Sequence, residues 1–141
     1  SGHRIPAVDP GEKRLGTAIS DPTATIASPL EIIHHTSRAR DAEEIARLAI
    51  DHQASRIIIG QALDWDGEPT IQSQKAARLA AAVEELTAIP VTLWNEFGST
   101  NKARNALLEM GVSRKKRREP VDDRAAAIIL QSYLDAIAGN D

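Results

Sequence analysis

The chain has 141 residues, 42% of them hydrophobic and 26% charged, with a formal net charge of -3. That size fits one domain with its own core and no second domain of similar bulk. The longest uninterrupted apolar run, AAAIIL from Ala125 to Leu130, is far too short to cross a bilayer, so no membrane is expected among its partners. Cysteine is absent, which rules out disulfides and thiolate metal sites and agrees with a reducing, cytoplasmic compartment. The opening Ser1-Gly2-His3 reads as a tag-cleavage remnant, leaving 4–141 as a single domain.

In chain order, Ile5 to Val8 and Leu15 to Ile19 are short β-compatible runs joined by DPGEKR, where Pro10 and Gly11 supply turn geometry. The pattern predicts a hairpin whose first strand ends abruptly at Asp9, leaving that carboxylate at the rim of a sheet. The run LEIIHHT (Leu30 to Thr36) follows Ser28-Pro29 and reads as a third antiparallel strand. From Arg40 to His52, Ile45, Leu48 and Ala49 recur at helical spacing, and RIIIG (Arg56 to Gly60) is a β-branched run expected to be a buried central strand. A loop follows, then a helix over Ile71 to Thr87 with Ala76, Leu79, Val83 and Leu86 on one face, and PVTLW (Pro90 to Trp94) as another buried strand. Ser99 or Thr100 can cap a helix that stops at Gly111. VSRKKRREPV is a loop, and a last helix runs from Asp122 to about Ala138 with Ala126, Ile129, Leu130, Tyr133 and Ile137 as its apolar stripe. The order βββαβαβαα implies an α/β fold: a mixed five-stranded sheet, three antiparallel strands then parallel ones, with helices on both faces.

In such sheets, sites form beyond the carboxyl ends of the strands. Three acids from remote parts of the chain sit where that rule looks: Asp9 at the end of the first strand, Glu96 past PVTLW, and Asp122 at the start of the last helix. Clustered carboxylates repel one another, so a cluster is tolerable chiefly when a cation neutralises it, and hard oxygen ligands suit Mg²⁺ or Mn²⁺. Two such ions can drive phosphodiester cleavage. Each acid also has a structural reading: Asp9 as a turn former, Asp122 as a helix cap, Glu96 as a solvated loop acid. Helical phasing alone leaves Asp122 and Asp123 equivalent, since both border the apolar stripe. Five of the 17 basic residues fall in one stretch (Arg114, Lys115, Lys116, Arg117, Arg118), a concentrated positive segment in a mildly acidic protein. Asp64 and Asp66 in LDWDG lack the further acids of a calcium loop, and His34 and His35 are adjacent on a strand and so point to opposite faces.

Taken together and in order, VDPGEKRLGTAISDP, ASPLEII, IIIGQALDWDGE, VTLWNEFGST and GVSRKKRREPVDDRAAAIILQSYLD resemble the YqgF family, also called RuvX, of Holliday junction resolvases and pre-16S rRNA processing nucleases. The resemblance covers nearly the whole chain. It implies the RNase H-like fold over 4–141 and a divalent-metal-dependent endonuclease that leaves 5′-phosphate and 3′-hydroxyl ends. It also implies an acidic set matching Asp9, Glu96 and Asp122. Counting back from AAAIILQSYLD places the family's aspartate at Asp122 rather than Asp123. The middle motif departs from the family: Asn95, Glu96 and Phe97 stand where Asp-Glu-Arg is usual, which leaves Glu96 as the ligand and removes an arginine. Lys13 and Arg14 in the hairpin, Ser99 and Thr100 at a helix start, and the Arg114 to Arg118 loop are expected to hold backbone phosphates. The expected substrate is the 5′ end of pre-16S rRNA. The alternative is a four-way DNA junction cut by a homodimer, since junction resolution needs two symmetric sites. Two rivals are a catalytically silent RNA-binding module and an Hsp70-like ATPase, the latter disfavoured because the chain is too short for two lobes.

Overall fold

The computed structural model describes residues 4–61, 68–95 and 123–139. Five strands, β1 (Pro6–Pro10), β2 (Arg14–Ser20), β3 (Ala27–His34), β4 (Ile57–Gln61) and β5 (Val91–Asn95), form one sheet in the order β3-β2-β1-β4-β5. β1 pairs antiparallel with β2, and β2 with β3, while β1/β4 and β4/β5 are parallel. This is the mixed sheet expected from the order of runs. Helices α1 (Arg38–Asp51) and α2 (Ile71–Glu84) cover one face, and α3 (Asp123–Ile137) covers the other.

The alternation of β1 divides the core. Val8 packs with Leu15, Ile45, Ile59, Leu79 and Val83 under α1 and α2, whereas Ala7 packs with Ala18, Ile58, Ala126, Leu130 and Leu134 under α3. β4 lies between β1 and β5 and its three isoleucines are fully buried, which is why its sequence is continuously apolar rather than alternating. Both early helices start on side-chain caps. Ser37 accepts from the Arg40 N–H, and Thr70 forms a reciprocal capping box with Ser73.

Several expectations are corrected. β1 does not end at Asp9 but runs one residue further to Pro10, with Asp9 paired opposite Gly16, and the turn proper begins at Gly11, whose N–H donates to the Arg14 carbonyl at 3.0 Å. The Pro10 ring does not interrupt the ladder before its own position, so Asp9, one residue before the strand's last, is still paired with β2. β3 begins at Ala27 and takes in Pro29, which an edge strand tolerates. There the β2/β3 register slips between Gly16 and Ala18, and the fully buried Thr17 hydroxyl spans the irregularity, donating to the Glu31 carbonyl and accepting the Glu31 N–H at 2.9 Å. β5 is half-buried at the other edge of the described sheet rather than a central strand. Leu86 falls beyond α2 and Ile137 at the end of α3, and both are exposed, while Leu134 completes the buried stripe in place of Ile137. Among the described residues no helix is long and apolar enough to cross a membrane.

Candidate active site

The carboxyl ends of the three parallel strands lie side by side. β4 and β5 pair Gly60 with Trp94 and Gln61 with Asn95, and β1 and β4 pair Val8 with Ile59, so Asp9 and Gly60 are the next residues along their strands. Asp9 follows Val8, which faces α1 and α2, and alternation therefore turns the Asp9 side chain to the α3 face, on the same side as Ala7. The residue is only 4% exposed. A carboxylate buried to that degree is costly unless donors or a cation balance its charge.

The strand positions on either side of Asp9 are both glycines. Its partner across β2 is Gly16, and Gly60 follows on the β4 side. At Gly60 the reason is visible: a Cβ there would lie 2.7 Å from Cδ1 of Ile129 on α3, well inside contact distance. The helix thus packs directly on β4 backbone beside the acid. Trp94, across from Gly60, is held against α3 by an indole N–H to Ser132 Oγ bond of 3.2 Å and by an edge-on ring contact with Tyr133 at 5.3 Å. Gln131 ties the same helix to the far edge of the sheet, its Oε1 accepting the Ala27 N–H and its Nε2 donating to the Thr25 carbonyl. Sequence reasoning missed these anchors. A lone Gly ending a buried apolar strand was the available signal for close approach at Gly60.

Of the other expected site residues, Lys13 is exposed at the hairpin tip, with its carbonyl accepting the His35 N–H at 2.9 Å, and Arg14 opens β2 opposite His34. Both lie within a few residues of Asp9 on the same hairpin. Glu96 and Asp122 lie outside the described residues, as do Asp64, Asp66, Ser99, Thr100, the helix expected after them, and Arg114 to Arg118. Among the described residues no group of three or more His, Asp or Glu gathers as a metal site. The described positions next to Glu96 and Asp122 in the chain are Asn95, ending β5, and Asp123, opening α3. His34 and His35 do not share a strand as expected: β3 ends at the exposed His34, and His35, just past it, engages the carboxylate of the buried Asp41 through Nδ1.

The five-stranded mixed sheet, with helices on both faces and an acid buried near the end of its first strand, defines an RNase H-like α/β protein. The fold is shared with RuvC of T. thermophilus, solved in complex with a Holliday junction substrate: TM-score 0.58 at 15% identity, covering 98% of this chain and 97% of that one. The family model for RuvX, Holliday junction resolvase, matches residues 3–136. The chain belongs to the RuvX family, a family of nucleases, and is by that membership a hydrolase of nucleic acid. Similar curated proteins carry the name "Putative pre-16S rRNA nuclease". The one from Thermoanaerobacter pseudethanolicus is 38% identical over 134 residues, 94% of this chain and 96% of that protein. The one from Syntrophus aciditrophicus is 41% identical over 135 residues, 96% and 90%.

Proposed function

We propose that the protein is a divalent-metal-dependent endonuclease in which Asp9, Glu96 and Asp122 hold Mg²⁺ or Mn²⁺, and that its substrate is the 5′ end of pre-16S rRNA. The observation that carries this reading is the burial of Asp9 near the carboxyl end of β1, on the face covered by the helix that follows Asp122 in sequence. The donor chemistry fits the metal: a buried carboxylate is a hard anionic oxygen ligand, and the flanking Gly16 and Gly60 place no side chain against it from either neighbouring strand. When bound, the cation supplies Lewis-acid polarisation of the phosphodiester and lowers the pKa of water. Water then adds at phosphorus as the P–O3′ bond breaks, giving a 5′-phosphate and a 3′-hydroxyl.

The chain's own residues orient the strand. Lys13 and Arg14 on the hairpin neutralise phosphates entering beside Asp9, and Ser99, Thr100 and the Arg114 to Arg118 segment extend those contacts. The names of the curated relatives support the RNA substrate. The family description supports a second reading, a four-way DNA junction cut by a homodimer. Residues 4–141 act as one nuclease domain, and the setting is cytoplasmic.

The test presents a pre-16S leader RNA and a four-way DNA junction to the wild type and to Asp9→Asn in Mn²⁺. Asp9→Asn keeps the shape and removes the charge, so cleavage is expected to fall by two orders of magnitude or more, about the loss that follows removal of an essential catalytic group. EDTA is expected to abolish wild-type cleavage. Undiminished cleavage by Asp9→Asn overturns the assignment, and binding without cleavage in any divalent metal favours a silent RNA-binding module.

A further inference from the structure

On the face of the hairpin opposite Asp9 lies a cleft of about 270 Å³ between the turn, the first half of α1 and the middle of α2. Pro10, next to Asp9 in the chain, forms part of its wall, and the buried Leu15 and Leu79 line it. Its polar lining is cationic in an unusual way. Arg38 from α1 and Lys75 and Arg78 from α2 all border it, and none of the three side chains takes part in an ion pair with an acid among the described residues. Elsewhere on α1 the arginines are paired: Arg40 with Glu43, and Arg47 with Glu31, Glu44 and Asp51. The acids bordering the cleft are Glu12, exposed on the turn, and Asp41, which is 3% exposed.

Asp41 is already engaged. It accepts from His35 Nδ1 and, at 3.3 Å, from the Thr36 N–H, and it sits in the first turn of α1, where the helix favours a negative charge. A carboxylate only accepts, so Nδ1 carries the proton and the ring is held with Nε2 as its other polar atom, in a side chain that borders the cleft. Three cations with no acid partner among the described residues border the cleft. That lining suits a short run of phosphate groups. Asp9 and Pro10 are consecutive, so a single β-strand separates this cleft from the acid.

We propose that this cleft is a second phosphate-binding site, formed by Arg38, Lys75 and Arg78, which holds successive backbone phosphates of the nucleic-acid strand on the face of the sheet opposite Asp9. The inference deepens the nuclease reading and rests on it for the identity of the ligand. Phosphate contacts of this kind carry no sequence information and fix how a strand lies across the protein.

The test is fluorescence anisotropy with a labelled pre-16S leader RNA in EDTA, so that binding is read without cleavage, across a salt series. Arg38→Ala and Arg78→Ala are each expected to weaken binding severalfold. Arg40→Ala, which removes the same charge two residues along α1 but outside the cleft, is expected to leave it unchanged. The Arg38→Ala/Lys75→Ala/Arg78→Ala triple variant should flatten the slope of log K against log salt by about 2, at about 0.7 per lost single-strand phosphate contact. All three side chains are exposed, so circular dichroism should show an unchanged fold. Equal effects of Arg38→Ala and Arg40→Ala, an unchanged slope in the triple variant, or no RNA binding by the wild type at low salt would overturn the proposal. Inorganic phosphate added at constant ionic strength forms the second arm: a strand-binding cleft keeps the difference between wild type and variant, whereas a site for free phosphate loses it, and that loss overturns assignment to a polynucleotide. The two readings fail separately. Cleavage that needs Asp9 with binding indifferent to Arg38 sinks only the cleft, and weakened binding by Arg38→Ala in a protein that cleaves nothing sinks only the nuclease.

Discussion

Gly60→Ala probes how closely α3 must approach the sheet beside Asp9. The new Cβ would meet Ile129 Cδ1 at 2.7 Å, with Cγ2 and Cγ1 behind it at 3.4 and 3.5 Å. Ile129 is buried and β-branched on a helix, so its χ1 has one strongly preferred setting, and relief must come from Cδ1 rotating into a filled core or from α3 lifting. Overpacking of this sort costs about 1–3 kcal/mol, and the lower entropy of the unfolded alanine chain returns about 0.4–1 kcal/mol, so Gly60→Ala should destabilise by about 0.5–2 kcal/mol. Ile129→Val removes the one atom under 3 Å and by itself costs about 0.5–1.5 kcal/mol for the lost methyl. In the Ile129→Val background the remaining contacts are close to ordinary van der Waals distances, and Gly60→Ala should be neutral or slightly stabilising. The double-mutant cycle therefore predicts a favourable coupling of about 1–2 kcal/mol, read by equilibrium urea unfolding followed by circular dichroism with m-values compared. A Gly60→Ala variant as stable as wild type, or one that costs the same in both backgrounds, refutes the claim that glycine is needed there for helix approach.

Other outcomes follow from the same geometry. Thr17→Val keeps the shape and strips the hydroxyl that serves both backbone groups of Glu31, so urea unfolding should show a loss of about 1–3 kcal/mol, and amide exchange in β3 should accelerate at the irregularity. Asp21 sits in the β2–β3 connection, where the Ile26 N–H, the Thr23 hydroxyl and the Thr25 N–H hold its carboxyl well below its ordinary value of 3.8. A depressed folded pKa means the added stability is fully present above 3.8 and is lost as pH falls below it. The stability gap between wild type and Asp21→Asn should accordingly narrow under acid, and a gap independent of pH would refute it. Asp9→Asn should lose cleavage while retaining the wild-type circular dichroism spectrum, since it exchanges an oxygen for a nitrogen with almost no change in volume. Loss of both together would mean that Asp9 serves the fold.

Much of the architecture was legible because it depends on short-range pattern. The β-branched run Ile57, Ile58 and Ile59 and the helical spacing of Ala76, Leu79 and Val83 each state what a segment must bury, whatever lies opposite. Where expectations failed, a neighbour decided. PVTLW looks like a core strand, yet it is half-buried because it lies at an edge of the described sheet, and edge position is a property of strand order rather than of the strand's own residues. Pro10 looked like a residue beyond the strand, yet it is the last residue of β1 and pairs with Leu15, a position at the strand's end where a missing N–H is tolerated.

The candidate site divides in the same way. The sequence by itself determined which acids could serve a metal and which family they belong to, since oxygen chemistry and motif order are carried by residue identity. It could not place Asp9 next to two glycines and under α3, nor bring Arg38, Lys75 and Arg78 to one cleft beside a histidine fixed by a buried aspartate. Those arrangements join residues tens of positions apart. Only the packing of α1, α2 and α3 on the two faces of the sheet decides them, because burial and charge proximity are set by distance in space, and a one-dimensional pattern records distance only within a turn of helix or a pleat of strand.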